Sequence, residues 1–245
     1  MNQNEPYPHA PLTEAIFEIQ VELPPDATIT HLEQLTNKIC VEYPKKRSRK
    51  RFEGKIGFNE QTLISESMDL GIDGFLNWSA DEKQVVQFRL DGYSFSRLKP
   101  YQSWDEHFPE VIKNWNIYSE NVVPIRIKRI AIRFINVIEI PRDSSLQEYF
   151  INTPKLPSVT FALNNFFNRI EFLIPEKNVN VVVTQTFGKS LDPTKKSIIL
   201  DVEASQEINS KISDNSMMDV FQVLRNVKND VFKKSLTEKT TELFT

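Results

Sequence analysis

A chain of 245 residues with 40% hydrophobic and 11% aromatic side chains can bury a sizeable core, which excludes a disordered or low-complexity protein. Six glycines against 14 prolines leave no Gly-rich phosphate cradle, and a single cysteine, Cys40, excludes an internal disulfide. The net charge is −3 but uneven: residues 1–44 hold seven acids and one base, residues 45–55 seven bases and one acid.

The start, MNQNEPYPHAPLTEAIF, has neither a basic head nor an apolar run of signal length. No window approaches the ~18 apolar residues of a membrane span. The expectation is a cytoplasmic protein without membrane contact. EAIFEIQVEL (14–23) alternates, with Ala15, Phe17, Ile19 and Val21 on one side and Glu14, Glu18, Gln20 and Glu22 on the other, the pattern of a half-buried strand. ITHLEQLTNKICVEY spaces Ile29, Leu32, Leu35 and Ile39 helically, with Asp26, Thr28 or Thr30 as its cap and Pro44 beyond its end. Cys40, beside Ile39, is expected in the core. KKRSRKR (45–51) then sets six bases in seven positions: Lys45, Lys46, Arg47, Arg49, Lys50 and Arg51.

Three strands are expected at 74–80, 83–90 and 93–98, turning at Asp81-Glu82 and Asp91-Gly92. SWDEHFPEVIKNWNIY (103–118) reads as a helix capped by Ser103, with Pro109 tolerable only in the first turn. In PIRIKRIAIRFINVIEIP (124–141) the apolar phase slips from odd to even positions, so a bulge is expected near Lys128-Arg129. A short helix (145–150), strands at 166–175, 178–187 and 195–204, and from Asp214 one long helix or two stacked ones complete the chain. Met218, Phe221, Leu224, Val227 and Val231 form that helix's stripe.

The halves 1–122 and 123–245 thus repeat one order, strand, helix, three strands, helix. The expected fold is α+β: a duplicated β-α-β-β-β-α unit forming curved antiparallel sheet, with helices packed on one face. That order looks like the TATA-binding-protein-like and helix-grip arrangements.

Four stretches carry a further resemblance: PLTEAIFEI (11–19), YSFSRLKPYQSW (93–104), RIAIRFINVIEIP (129–141) and NDVFKKSLTEKTTELF (229–244). Together they resemble a sporadically distributed family of prokaryotic proteins of about this length and of uncharacterised function. The resemblance implies genes that travel with mobile elements or host-defence islands. It implies no reaction and no catalytic residues, and the basic run lies outside it.

Three histidines without paired cysteines or His-x-x-x-His spacing fit no usual zinc site, and no cofactor is expected. Asp201 and Glu203 share one side of a strand, as a solvated polar face or as two carboxylates for Mg²⁺ or acid–base work. Arg133 and Asn136 fall on opposite sides of the central strand, and Asn136 interrupts its apolar side, as a structural anchor or a ligand contact. Trp104, Trp115 and Phe95 suit a core better than a stacking platform for bases. The run at 45–51 is open to three readings: a solvated loop, a contact for an acidic protein partner, or a grip on nucleic acid. The function expected is a non-enzymatic binding or regulatory subunit for a partner protein, with homo-oligomers allowed. The alternatives are a nucleic-acid-binding protein led by the basic run and a metal-dependent hydrolase using Asp201 and Glu203.

Overall fold

A computed structural model describes residues 7–59, 62–154, 163–210 and 214–245. The first half runs β1 (Leu12–Glu22), α1 (Ile29–Lys38), β2 (Lys45–Asn59), β3 (Thr62–Trp78), β4 (Gln84–Arg89), β5 (Gly92–Leu98) and α2 (Trp104–Val122). The second runs β6 (Arg126–Pro141), a 3₁₀ turn (Leu146–Glu148), β7 (Phe167–Ile174), β8 (Val179–Gly188), β9 (Lys195–Ser210), α3 (Asp214–Lys234) and α4 (Glu238–Thr241). The strands form one sheet in the order β2-β3-β4-β5-β1-β6-β9-β8-β7, and every neighbouring pair is antiparallel. The α+β expectation holds. Among the described residues, no helix is long and apolar enough to cross a membrane.

The alternation of β1 sets the layers. Ala15, Phe17, Ile19 and Val21 are buried, while Glu14, Glu18 and Gln20 on the other side keep contact with solvent. Phe17 is the hub of the core, with the rings of Phe95, Trp104, Phe108, Phe134 and Phe221 centred 5.2–6.3 Å from its own. Those five belong to β5, α2, β6 and α3, so the long helices cover the same face of the sheet. Trp115 and Phe95 are buried with them.

Local chemistry explains the helix ends. The Thr28 amide donates to His31 Nδ1 at 3.0 Å at the start of α1. Ser103 Oγ accepts from the Glu106 amide at 3.2 Å at the start of α2, where Asp105 and Glu106 also suit the helix dipole. Helix α2 stops at Val123, left-handed at φ 43°, immediately before Pro124. Pro109 departs from expectation, lying at the sixth helical position and not in the first turn. The carbonyl it fails to reach belongs to Asp105, in the first turn of the helix.

The bulge falls where the phase slip places it: the ladders of β6 with β1 and with β9 both skip Lys128 between Ile127 and Arg129. Ile127 and Ile130 thereby both reach the core. Four expectations are corrected. Residues 45–51 are not a loop but the start of edge strand β2, hairpinned to β3, so α1 is followed by four strands. The expected helix at 145–150 is only the 3₁₀ turn. Cys40 is exposed, because α1 ends at Lys38 and the turn that buries Ile39 points its neighbour outward. In α3 it is Met217 that is buried, while Met218 is 46% exposed.

Candidate functional site

The three polar features singled out in the sequence lie in three places. The basic run forms the outer edge of the sheet, and its charges are answered locally. Lys45 reaches Glu82 at 2.5 Å, Lys46 reaches Glu33 of α1 at 2.9 Å, Arg49 reaches Asp73 at 3.2 Å and Lys50 reaches Asp69 at 3.2 Å. Lys46 also lies 4.3 Å above the Phe75 ring, and Arg47 lies 5.4 Å from the Trp78 ring centre. A strand at a sheet edge carries free backbone groups, and lysine-rich edges keep other strands from pairing with them.

Arg133, Asp201 and Glu203 lie on the face of the sheet opposite the helices, where Arg133 and Glu203 are register partners. Arg133 Nε lies 3.0 Å from both Asp201 oxygens, and its Nη2 lies 2.6 Å from Oδ2. That contact raises the pKa of Arg133 further. Glu203 pairs with Arg129, which also holds Glu18 at 3.0 Å, and Arg89 reaches Glu18 at 2.7 Å. The two carboxylates are therefore bound by separate guanidinium groups. Among the described residues no three His, Cys, Asp or Glu side chains gather as a metal site.

Asn136 faces the other way, as its phase requires, and there it meets a different environment. Its Nδ2 donates to the carbonyls of Leu200 at 3.1 Å and Phe134 at 3.3 Å. The residue also lines a cavity of about 280 Å³ on the helical side. This cavity opens between residues 7–12, the start of α2, the middle of β6 and the last turns of α3. Tyr101, Trp104, Phe134 and Phe232 supply its apolar wall. The amino-terminal stretch is fixed beside it by the carboxyl end of the chain: Tyr7 packs edge-on against Phe244 at 5.5 Å, and the His9 amide donates to the Phe244 carbonyl at 3.0 Å.

Three cations of α3 line the same cavity: Arg225, Lys228 and Lys233. Arg225 lies 4.9 Å over the Trp104 ring and reaches Asp105 at 3.8 Å. Lys228 is only 7% exposed. Its ammonium lies 3.6 Å from the Phe134 ring centre and donates to Asn229 Oδ1 at 2.5 Å. Among the described residues no carboxylate pairs with it. Burial, reinforced by the positive charges of Arg225 and Lys233, pushes its pKa down to about 7. The phenol of Tyr101 in the opposing wall is pushed up by burial. A cavity with aromatic walls, lined by three cations and by the Asp105 carboxylate, is suited to a flat apolar body that carries an anionic group.

Lys228 and Arg225 are the residues that the hydrophobic stripe concealed. Positions 221, 225, 228 and 232 recur at intervals of four, three and four, so the two cations sit between Phe221 and Phe232 on one side of α3. Charged residues inside an otherwise apolar stripe were the available signal. No protein-family model matches the chain, and no curated protein matches it.

Proposed function

We propose that this is a non-enzymatic binding protein, that its site is the cavity between β6, α2 and α3, and that its ligand is an organic anion with a flat apolar body. One observation carries the reading. The four stretches that bear the family resemblance meet at this cavity: Pro11 and Leu12 from the first, Tyr101 and Trp104 from the second, Phe134 and Asn136 from the third, and Asn229 and Phe232 from the fourth. Residues so far apart in sequence share little else, and the two buried or half-buried cations of α3 stand at the same wall. The resemblance supports a recognition or regulatory subunit for a partner protein in a mobile-element or defence operon, and the single cysteine, with no signal-like or membrane-spanning run, supports the cytoplasm. The cavity would then be where a small anionic signal tunes that partnership. Co-purification with the product of a neighbouring gene tests the partnership.

The strand order supports an origin by duplication. In each half the first strand pairs with the last, β1 with β5 and β6 with β9, the intervening strands follow outward, and a long helix comes next. The first strands of the two halves, β1 and β6, meet at the middle of the sheet. This is the order on which the likeness to TATA-binding-protein-like and helix-grip arrangements rests.

Thermal shift measurements test the ligand class. Benzoate and phenyl phosphate should raise the melting temperature more than inorganic phosphate or benzyl alcohol does, and Lys228→Met should abolish the difference. Equal responses to all four compounds, or an undiminished response in the variant, would refute the reading. The grip on nucleic acid has less support, because four of its six cations are paired within the molecule and a fifth stacks on Trp78.

A further inference from the structure

The two edges of the sheet are chemically opposite. The β2 edge begins with six cations in seven residues, and its ladder with β3 is interrupted around Lys50. The β7 edge, FNRIEFLI, holds one cation and one anion among large apolar side chains. Phe167 is 71% exposed and Leu173 is 56% exposed, and Ile170 and Phe172 are exposed as well. On the sheet side β7 pairs with β8, and among the described residues no strand pairs its outer edge. Long apolar edges of this kind are templates for another strand.

We infer that β7 pairs antiparallel with β7 of a second copy of this chain, across a two-fold axis at Ile170, so that two nine-stranded sheets join into one. The register follows from the strand itself. In an antiparallel ladder, residues directly opposite each other point their backbone groups the same way, both into the new interface or both away from it. A strand paired with its own copy therefore places residues of equal parity opposite each other. With Ile170 opposite Ile170, Arg169 of each copy faces Glu171 of the other, Phe167 faces Leu173, and Asn168 faces Phe172. Moving the register by two in either direction sets Arg169 against Arg169 or Glu171 against Glu171. Opposite charges across a strand pair are favourable and like charges are unfavourable, so one register is selected. Within a single chain, among the described residues, Arg169 reaches along its own strand to Glu171 at 3.4 Å.

The pairing also closes. A two-fold contact uses the same patch on both copies and consumes the β7 edge of each. The edges left at the ends of the joined sheet are the two β2 strands, whose lysine- and arginine-rich side chains keep other strands from pairing there, so the assembly stops at a dimer and does not grow into a fibre.

Sedimentation velocity and light scattering on the full chain test this directly. The intact protein should have twice the 28.5 kDa chain mass at micromolar concentrations. Each single reversal, Arg169→Glu or Glu171→Arg, replaces two favourable cross-pairs by two repulsive ones and should weaken the dimer by about tenfold or more. The double reversal, Arg169→Glu with Glu171→Arg, restores complementarity in the same register and should restore the dimer. Circular dichroism establishes that each variant is folded, as expected for substitutions at exposed side chains. A monomeric wild-type protein overturns the inference. So does a dimer that ignores the single reversals, or one that the double reversal fails to rescue.

Discussion

Replacing Lys228 by methionine keeps the length of the side chain and removes its charge, so the electrostatic cost of the cavity can be weighed separately from its packing. The folded state lowers the pKa of Lys228 from 10.5 to about 7. At ~1.4 kcal/mol per unit this amounts to roughly 4 to 5 kcal/mol of destabilisation as an upper bound. The pH dependence has a fixed sign. Below about pH 7 the amine is protonated in both folded and unfolded chains, and the full cost is present. Between pH 7 and 10.5 the unfolded chain binds the proton and the folded chain does not, so stability rises with pH. Above 10.5 the cost has vanished. The methionine variant should therefore be the more stable protein at pH 6, by up to about 10 °C in melting temperature for a chain of this size. Its advantage should shrink steadily as the pH rises from 7 to 10. Calorimetric scans of both proteins across that range give the difference, in which all other titrating groups cancel. A difference that stays constant with pH, or a variant less stable than wild type at pH 6, would refute the assignment of an uncompensated buried amine.

Three further outcomes are expected. Gly92→Ala should destabilise by at least about 2 kcal/mol in denaturant titration, because an added Cβ would lie 2.3 Å from the Ile19 carbonyl oxygen and force β5 away from β1. Arg133→Met should cost about 1–3 kcal/mol, since Asp201 is largely buried and loses its bidentate donor, and adding Asp201→Leu should recover part of that loss. Changing Lys45, Lys46, Arg47, Arg49, Lys50 and Arg51 together to serine should leave nucleic-acid mobility shifts unaltered but produce concentration-dependent light scattering, as the sheet loses its charged edge.

Most of the fold was legible because the strands near the middle of the sheet are half buried. Phe17 and its neighbours alternate with glutamates, and the slip in phase at Lys128 is visible as a change from odd to even apolar positions. Strand β2 was not legible. An edge strand needs no apolar face of its own, and this one is stabilised by acids that come from α1, β3 and the β3–β4 turn, which no local pattern can announce. Arg133 and Asp201 were found as candidates but not as a pair, because strand phase reveals the face of each residue and not the register between β6 and β9. Asn136 was placed correctly for the same reason of phase. Lys228 was hidden for the opposite reason: it obeys the helical spacing of the stripe, and its chemistry emerges only when β6 brings Phe134 beneath it.

The two faces of the sheet treat charge in contrary ways, and the contrast marks the site. On the open face Asp201, Glu203 and Glu18 are each held by at least one guanidinium group. On the helical face Lys228 is buried, and among the described residues no carboxylate pairs with it. It shares its cavity with Lys233 and with Arg225, which lies 3.8 Å from the exposed Asp105 carboxylate. Burial and the neighbouring positive charges lower the pKa of Lys228 to about 7. An anion in the cavity would favour the protonated form of Lys228, and by linkage the protonated amine would favour the anion. Lys228 thus stands at the place where the distant segments of the chain meet.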